Sequence, residues 1–114
     1  MKRFPSVKKN TDFQKAYQQG VSAANAELVM YVRKNGLDYS RIGISCSKKI
    51  GNSVVRHTMA RKLREIFRTN IQCIERGVDI ILVVRKKASC STYQQIEKSY
   101  LNLCNRHHIV VDLK

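Results

Sequence analysis

Apolar residues recur along this chain with two different periods, and the changes of period mark its elements. Residues 27–33 alternate, with Leu28, Met30 and Val32 on one side and Val29, Tyr31 and Arg33 on the other, which predicts a strand. A turn at Asn35-Gly36 leads to a second strand over residues 41–47, where Ile42, Ile44 and Cys46 oppose Gly43, Ser45 and Ser47. The small residues of that second face admit either a flat nucleic acid base or one of the chain's own helices at close range. The uninterrupted run Ile80-Ile81-Leu82-Val83-Val84 suits a central strand covered on both faces, and it ends at the basic run Arg85-Lys86-Lys87.

Between the second and third strands the period lengthens. Residues 54–70 fit a helix whose apolar stripe is Val55, Met59, Leu63 and Ile66, while His57, Arg61, Arg64 and Arg68 fall within about 60° of each other on another face. If the flanking strands pair in parallel, this helix is the crossover of a β-α-β unit. Asn10 is read as the cap of a short first helix carrying Asp12 in its first turn, with Gly20 as its stop. Phe13 and Tyr17 share one face of it, a spacing that usually means core. A last helix over Tyr93–Arg106, capped by Ser91 or Thr92, carries Tyr93, Ile96, Tyr100, Leu103 and Cys104 as a core stripe. Three strands and three helices follow from these patterns.

Charge changes the picture more than length does. The 114 residues, 43% of them hydrophobic, suit one compact domain over 1–114, with residues 1–9 as a basic extended segment. Against 8 acids stand 22 Lys and Arg, a formal net charge of +14. Half of that excess lies between residues 41 and 68, where 8 basic residues meet 1 acid. A helix that merely needed solvation would mix its signs at i,i+4, so a nearly acid-free block points to phosphate contacts. Gly51-Asn52-Ser53 adds backbone N–H groups at the helix start, flanked by Lys48 and Lys49.

Candidate chemistry is sparse. The acids, among them Asp12, Glu27, Glu65 and Asp79, form no D-x-D or E-x-K pattern, which argues against a two-metal nuclease. His57 beside Arg61 and Arg64 could serve a metal-independent cleavage, but cationic neighbours lower its basicity and no second acid or base accompanies it. Cys46, Cys73, Cys90 and Cys104 are spaced too widely for paired metal ligands and read as reduced thiols. Cys104, His107 and His108 are at most half a zinc site and read better as a helix end. No apolar run reaches spanning length and the start MKRFPSVKKN has no apolar leader core, so no membrane partner and a cytoplasmic location are expected. A general RNA-binding protein of ribosomal type shares the same charge profile.

The run RIGISCSKKIGNSVVRHTMARKLRE at residues 41–65 resembles the signature of the protein subunit of bacterial ribonuclease P. Thr11-Asp12-Phe13 with Tyr17 and Gly20 resembles that family's first helix, and Gly77-Val78-Asp79-Ile80 onward its last strand. The resemblance implies an α/β (α+β) sandwich in the order α-β-β-β-α-β-α. Its four-stranded sheet would include a left-handed β-α-β crossover and a short extra strand near Val21–Ala24, which patterning alone does not reveal.

The resemblance also implies that catalysis belongs to an RNA subunit, which binds the magnesium and removes the 5′ leader of precursor tRNA. Leader contacts would fall to Phe13, Tyr17, Tyr31, Ser45 and Lys49, and contacts with the RNA subunit to Arg56, His57, Arg61, Lys62, Arg64 and Arg68. No catalytic residue, metal ligand or obligate protein partner is expected in the chain itself. Where the family usually carries Arg-Asn-Arg and then Lys-Arg, this chain has Arg56-His57-Thr58 and Ala60-Arg61, so two cations of that face are missing.

Overall fold

The computed structural model describes residues 6, 7 and 10–111. Most of the expected basic extended segment, residues 1–5, 8 and 9, lies outside the described residues. The elements run α1 (Asn10–Gln19), β1 (Val21–Ala24), β2 (Leu28–Lys34), β3 (Arg41–Ser45), α2 (Ser53–Thr69), β4 (Val78–Val84) and α3 (Tyr93–Arg106), with short 3-10 turns at Ile71–Cys73 and Lys86–Cys90. One four-stranded sheet has the order β1-β2-β4-β3. β1 with β2 and β2 with β4 are antiparallel, and β3 with β4 is parallel across the α2 crossover. This is the α-β-β-β-α-β-α order that the resemblance implied.

Local chemistry sets most boundaries. Asn52 caps α2, its side chain accepting from the Val55 N–H at 3.0 Å. Thr92 and Gln95 form a reciprocal capping box at the start of α3. Asn10 is the first helical residue of α1, one place inside the cap position expected for it. β1 escaped the pattern because its four residues, Val-Ser-Ala-Ala, lie at the sheet edge with three exposed, so no alternation is demanded of them. β3 ends at Ser45, two residues earlier than expected, where the chain enters a turn in which Ile50 N–H donates to Ser47 O at 3.0 Å.

The sheet has a wholly covered face and a partly covered one. Leu28, Met30, Ile42, Ile80, Leu82 and Val84 face α2 and α3 and form the main core with Leu63, Ile66, Phe67, Tyr100 and Leu103. The stripe expected on α2 holds at Met59, Leu63 and Ile66, extends to the fully buried Phe67, and fails at Val55, which is 38% exposed. Val55 instead packs onto Gly51, where an added Cβ would stand 2.9 Å from it. The second face is covered by α1 through a small cluster of Val7, Ala16 and Ile81 with Phe13 and Tyr31. β4 runs through the centre and is buried on both sides, as its apolar run predicted.

Asp79 breaks that apolar strand and is itself fully buried. Arg41 supplies the compensation, its Nε and Nη2 donating to the two carboxylate oxygens at 2.8 and 2.6 Å, while Asn35 Nδ2 donates at 2.9 Å. Removing Arg41 would strand a buried carboxylate, a loss of about 3–5 kcal/mol. No helix among the described residues is long and apolar enough to cross a membrane.

Candidate nucleic acid interface

Strand register divides the α1 side of the sheet into rows. Arg33, Asp79 and Arg41 pair across β2, β4 and β3 in one row, Tyr31, Ile81 and Gly43 in the next, and Val29, Val83 and Ser45 in a third. α1 lies over the middle row. Phe13 rests on Gly43, where a Cβ would stand 2.9 Å from its Cζ, and Tyr17 meets Tyr31 edge to face with ring centroids 4.9 Å apart. Phe13 and Tyr17 are themselves 6.4 Å apart. The bare face of β3 is therefore occupied at Gly43 by the protein's own helix, and the alternative of a base lying directly on that glycine is excluded.

The third row is different. Val29, Val83 and Ser45 are only half-buried, whereas Ile81 and Asp79 beside them are fully covered. Val29 and Val83 were not among the expected site residues, and the alternation of β2 together with the face opposite Ile80 and Leu82 is the signal that would have found them. Tyr17 is 39% exposed and Tyr31 and Phe13 are half-buried, so each ring offers both a packed edge and an open one. Half-exposed aromatic rings above a shallow apolar floor suit single-stranded bases, which stack without regard to sequence.

The basic residues extend this surface around the β3 edge. Arg64 lines a groove of about 240 Å³ with Phe13, Gly43, Ile44, Ser6 and Val7. It also lines a groove of about 510 Å³ with Ser53, Val54, His57, Thr58 and Arg61. A third groove, of about 230 Å³, joins Ile44 and Cys46 to Arg56, His57, Ala60 and Arg64. Arg64 is thus common to the ring-lined surface and to the basic face of α2, a connection that sequence spacing does not reveal.

The remaining expected contacts are dispersed. Lys62 is half-buried and Lys49 is exposed in the turn before α2, and neither lines any of these three grooves. Arg56 is half-buried with its Nε lacking a hydrogen-bond partner, and burial raises the Cys46 thiol against the pull of the Arg56 charge. Arg68 is engaged by Glu65, Nε donating at 3.1 Å, and that bond holds the Glu65 carboxyl below its usual range. Arg41, counted in the basic block, is likewise neutralised: Asp79 takes two of its donors and Asp12 lies 3.7 Å from a third. The hydrogen bond to Asp79 raises the Arg41 guanidinium above its ordinary value, against the effect of burial. The positive face is therefore narrower than the charge count, centred on Arg61 and Arg64 with His57 in the same groove.

Other chemistry finds no setting here. His57 is exposed, and no carboxylate lines its grooves to act as a second acid or base. Among the described residues no three His, Cys, Asp or Glu side chains are grouped to hold a metal ion, so the donor set does not fit a magnesium centre. Cys104 is buried beside Tyr100 with its thiol pushed up to about 12, and the His107 ring meets Met30 O at 3.0 Å; both are built into the end of α3. A further hollow of about 680 Å³ lies by Tyr39, Ile71 and Ile74 and presents Asp38 and Glu75 against Arg76, the wrong balance for a polyanion.

Comparison with known proteins places the same fold and chain in one family. The family model described as Ribonuclease P matches residues 1–108. The chain is 42% identical over 110 residues to the ribonuclease P protein component of Clostridioides difficile (strain 630), covering 96% of each chain. It superposes on the Staphylococcus aureus RNase P protein with a TM-score of 0.87 at 36% identity, covering 96% of this chain and 100% of that one. The Thermotoga maritima RNase P protein gives a TM-score of 0.82 at 36% identity, covering 89% and 96%.

Proposed function

We propose a working mechanism for this chain from its family: it belongs to the ribonuclease P protein components, which assist the RNA of the holoenzyme that matures the 5′ end of tRNA. The protein binds the single-stranded leader of precursor tRNA along the α1 side of the sheet and the RNA subunit through the basic face of α2. Phe13, Tyr17 and Tyr31 stack or pack against leader nucleotides, above Ser45 with Val29 and Val83. Arg61 and Arg64, with Arg56 and Lys62 at their flanks, neutralise phosphates of the RNA subunit, and His57 donates a hydrogen bond beside them. Lys49 takes an outlying phosphate of the leader and Arg68 an outlying phosphate of the RNA subunit.

The observation that carries this reading is the position of Arg64, which lines both the groove holding Phe13 and the groove holding His57 and Arg61. A leader strand and the RNA subunit that cleaves it would be held side by side there, close to one shared cation. Among the described residues no group of side chains is placed to hold a metal ion, so on this reading magnesium would be held by the RNA subunit and would supply the hydrolytic chemistry there. Neutralising nearby phosphates lowers their mutual repulsion and so favours both docked substrate and divalent ions.

The test is precursor-tRNA cleavage at low magnesium with the cognate RNA subunit, with and without this protein, beside a protein-only control. Stimulation that depends on the RNA is expected. With the double substitution Phe13→Ala and Lys49→Ala, discrimination between precursor and mature tRNA should shrink; unchanged discrimination would rule out the leader cleft. Competition by mature tRNA or ribosomal RNA as strong as by precursor would indicate a general RNA-binding role instead.

A further inference from the structure

α1 carries the rings of the cleft, yet Ala16 is the one residue in it that is fully buried. A ten-residue helix held by so little apolar burial needs other restraints to keep a defined orientation, because its own hydrogen bonds fix its shape and not its place on the sheet. The row beneath its flank provides them. Asp79 lies at the centre of that row with Arg33 on one neighbouring strand and Arg41 on the other, each directly opposite it in register. Arg41 binds Asp79 with two donors and approaches Asp12, in the first turn of α1, at 3.7 Å. Arg33 Nη1 lies 4.0 Å from the same Asp79 carboxylate, while its Nε donates to Gln19 Oε1, on the last residue of α1, at 3.1 Å.

We propose that Asp79, through Arg41 and Arg33, clamps the two ends of α1 and thereby positions Phe13 and Tyr17 for the leader, making Asp12 and Gln19 positioning residues for substrate discrimination. The inference rests on the leader-cleft reading above and deepens it. The geometry favours a clamp over two unrelated surface contacts because both arginines lie against one buried carboxylate, Arg41 hydrogen-bonded to it and Arg33 4.0 Å from it. Arg41 is fixed by paired hydrogen bonds to a group with 0% exposure, so the position of the Nη1 that it presents to Asp12 is set by the sheet and not by α1. The anchors bracket the rings in sequence: Asp12 directly precedes Phe13, and Gln19 follows Tyr17 by two residues. Arg33 and Arg41, spent on the clamp, are withdrawn from phosphate binding.

Substituting Asp79 itself risks unfolding, so the test uses the partly exposed ends. Holoenzyme reconstituted with the cognate RNA subunit is assayed for affinity to leader-bearing precursor tRNA and to mature tRNA, with wild-type protein, Asp12→Asn plus Gln19→Ala, Asp12→Glu, Phe13→Ala, and Phe13→Ala combined with the first pair. The paired substitution should lower the precursor-to-mature ratio by roughly threefold or more while leaving mature-tRNA affinity unchanged, and Asp12→Glu should keep the ratio. In the Phe13→Ala background the same pair should cost nothing further, since a positioning residue has nothing left to position. If Phe13→Ala lowers the ratio and the clamp substitutions do not, or if the two losses multiply, the clamp is overturned and the leader cleft stands. If Phe13→Ala itself leaves the ratio unchanged, the cleft reading falls and the clamp's role falls with it.

Discussion

Phe13 closes over Gly43 so tightly that a methyl group at position 43 would stand 2.9 Å from its ring and 2.7 Å from Ile81 Cδ1. The glycine has ordinary strand backbone, and its value is the absence of a side chain. Gly43→Ala is therefore expected to lower stability by about 1–3 kcal/mol through overpacking. Urea unfolding monitored by circular dichroism reads this directly. Relief requires the Ile81 tip and the Phe13 ring to shift, so on the cleft reading the same variant, by displacing a leader-contacting ring, also loses precursor discrimination. An alanine variant with unchanged stability would show that the ring does not press on the strand.

The cations of α2 should contribute unequally. Arg61 and Arg64 line open grooves, and each that contacts a phosphate should lower the magnitude of the slope of log affinity against log salt by roughly one when changed to alanine. Arg68 already has Glu65 as a partner, so Arg68→Ala should flatten that slope less. Titration of the RNA subunit with labelled protein at several potassium concentrations ranks the three. An Arg68→Ala effect equal to that of Arg64→Ala would show that RNA displaces Glu65.

Stability should fall between neutral and mildly acidic pH. Burial lowers the His107 pKa, with Arg106 and His108 adding to it and the contact with Met30 O opposing it. The folded state therefore binds this proton less readily than the unfolded chain, whose histidine titrates near 6.5. The stabilising difference is fully present above that value and is lost as pH falls below it. Urea midpoints measured from pH 8 to pH 5.5 should decline, and His107→Gln should flatten the decline in that window. An equal decline in the variant would assign it to other groups.

Thiol reactivity should follow burial and acidity together. Cys90 is exposed, whereas Cys104 is fully buried with its pKa pushed up to about 12 by desolvation. An alkylating reagent at pH 8 should modify Cys90 in the native protein and reach Cys104 only on unfolding, as peptide mass analysis would show. Native labelling of Cys104 at a comparable rate would mean that the end of α3 opens frequently.

Much of this molecule was legible in one dimension because its elements obey local rules. β2 and β4 announced themselves by alternation and by an apolar run, and α2 by the separation of its apolar and basic faces. Errors fell where a local rule underdetermines the outcome. Val55 has the spacing of a core residue but lies in the first turn of α2, beyond the sheet that would bury it, while Phe67 supplies the buried end of the stripe. β1 has no pattern of its own and exists because β2 offers it an edge.

The element types, the covered and basic faces of α2 and the excess of cations depend only on residue type and on spacing within one segment, and so are written in the chain. It also carried a signature specific enough to identify a family through residues 41–65. Tertiary structure decided which of those cations remain available. Asp79 lies 38 residues from Arg41 and Asp12 lies 29 from it, yet strand register and the path of α1 bring all three together. It likewise decided that Phe13 covers Gly43 and that Arg64 faces two grooves. Such contacts depend on how separate segments are packed, and spacing along one segment carries no information about the distance to another.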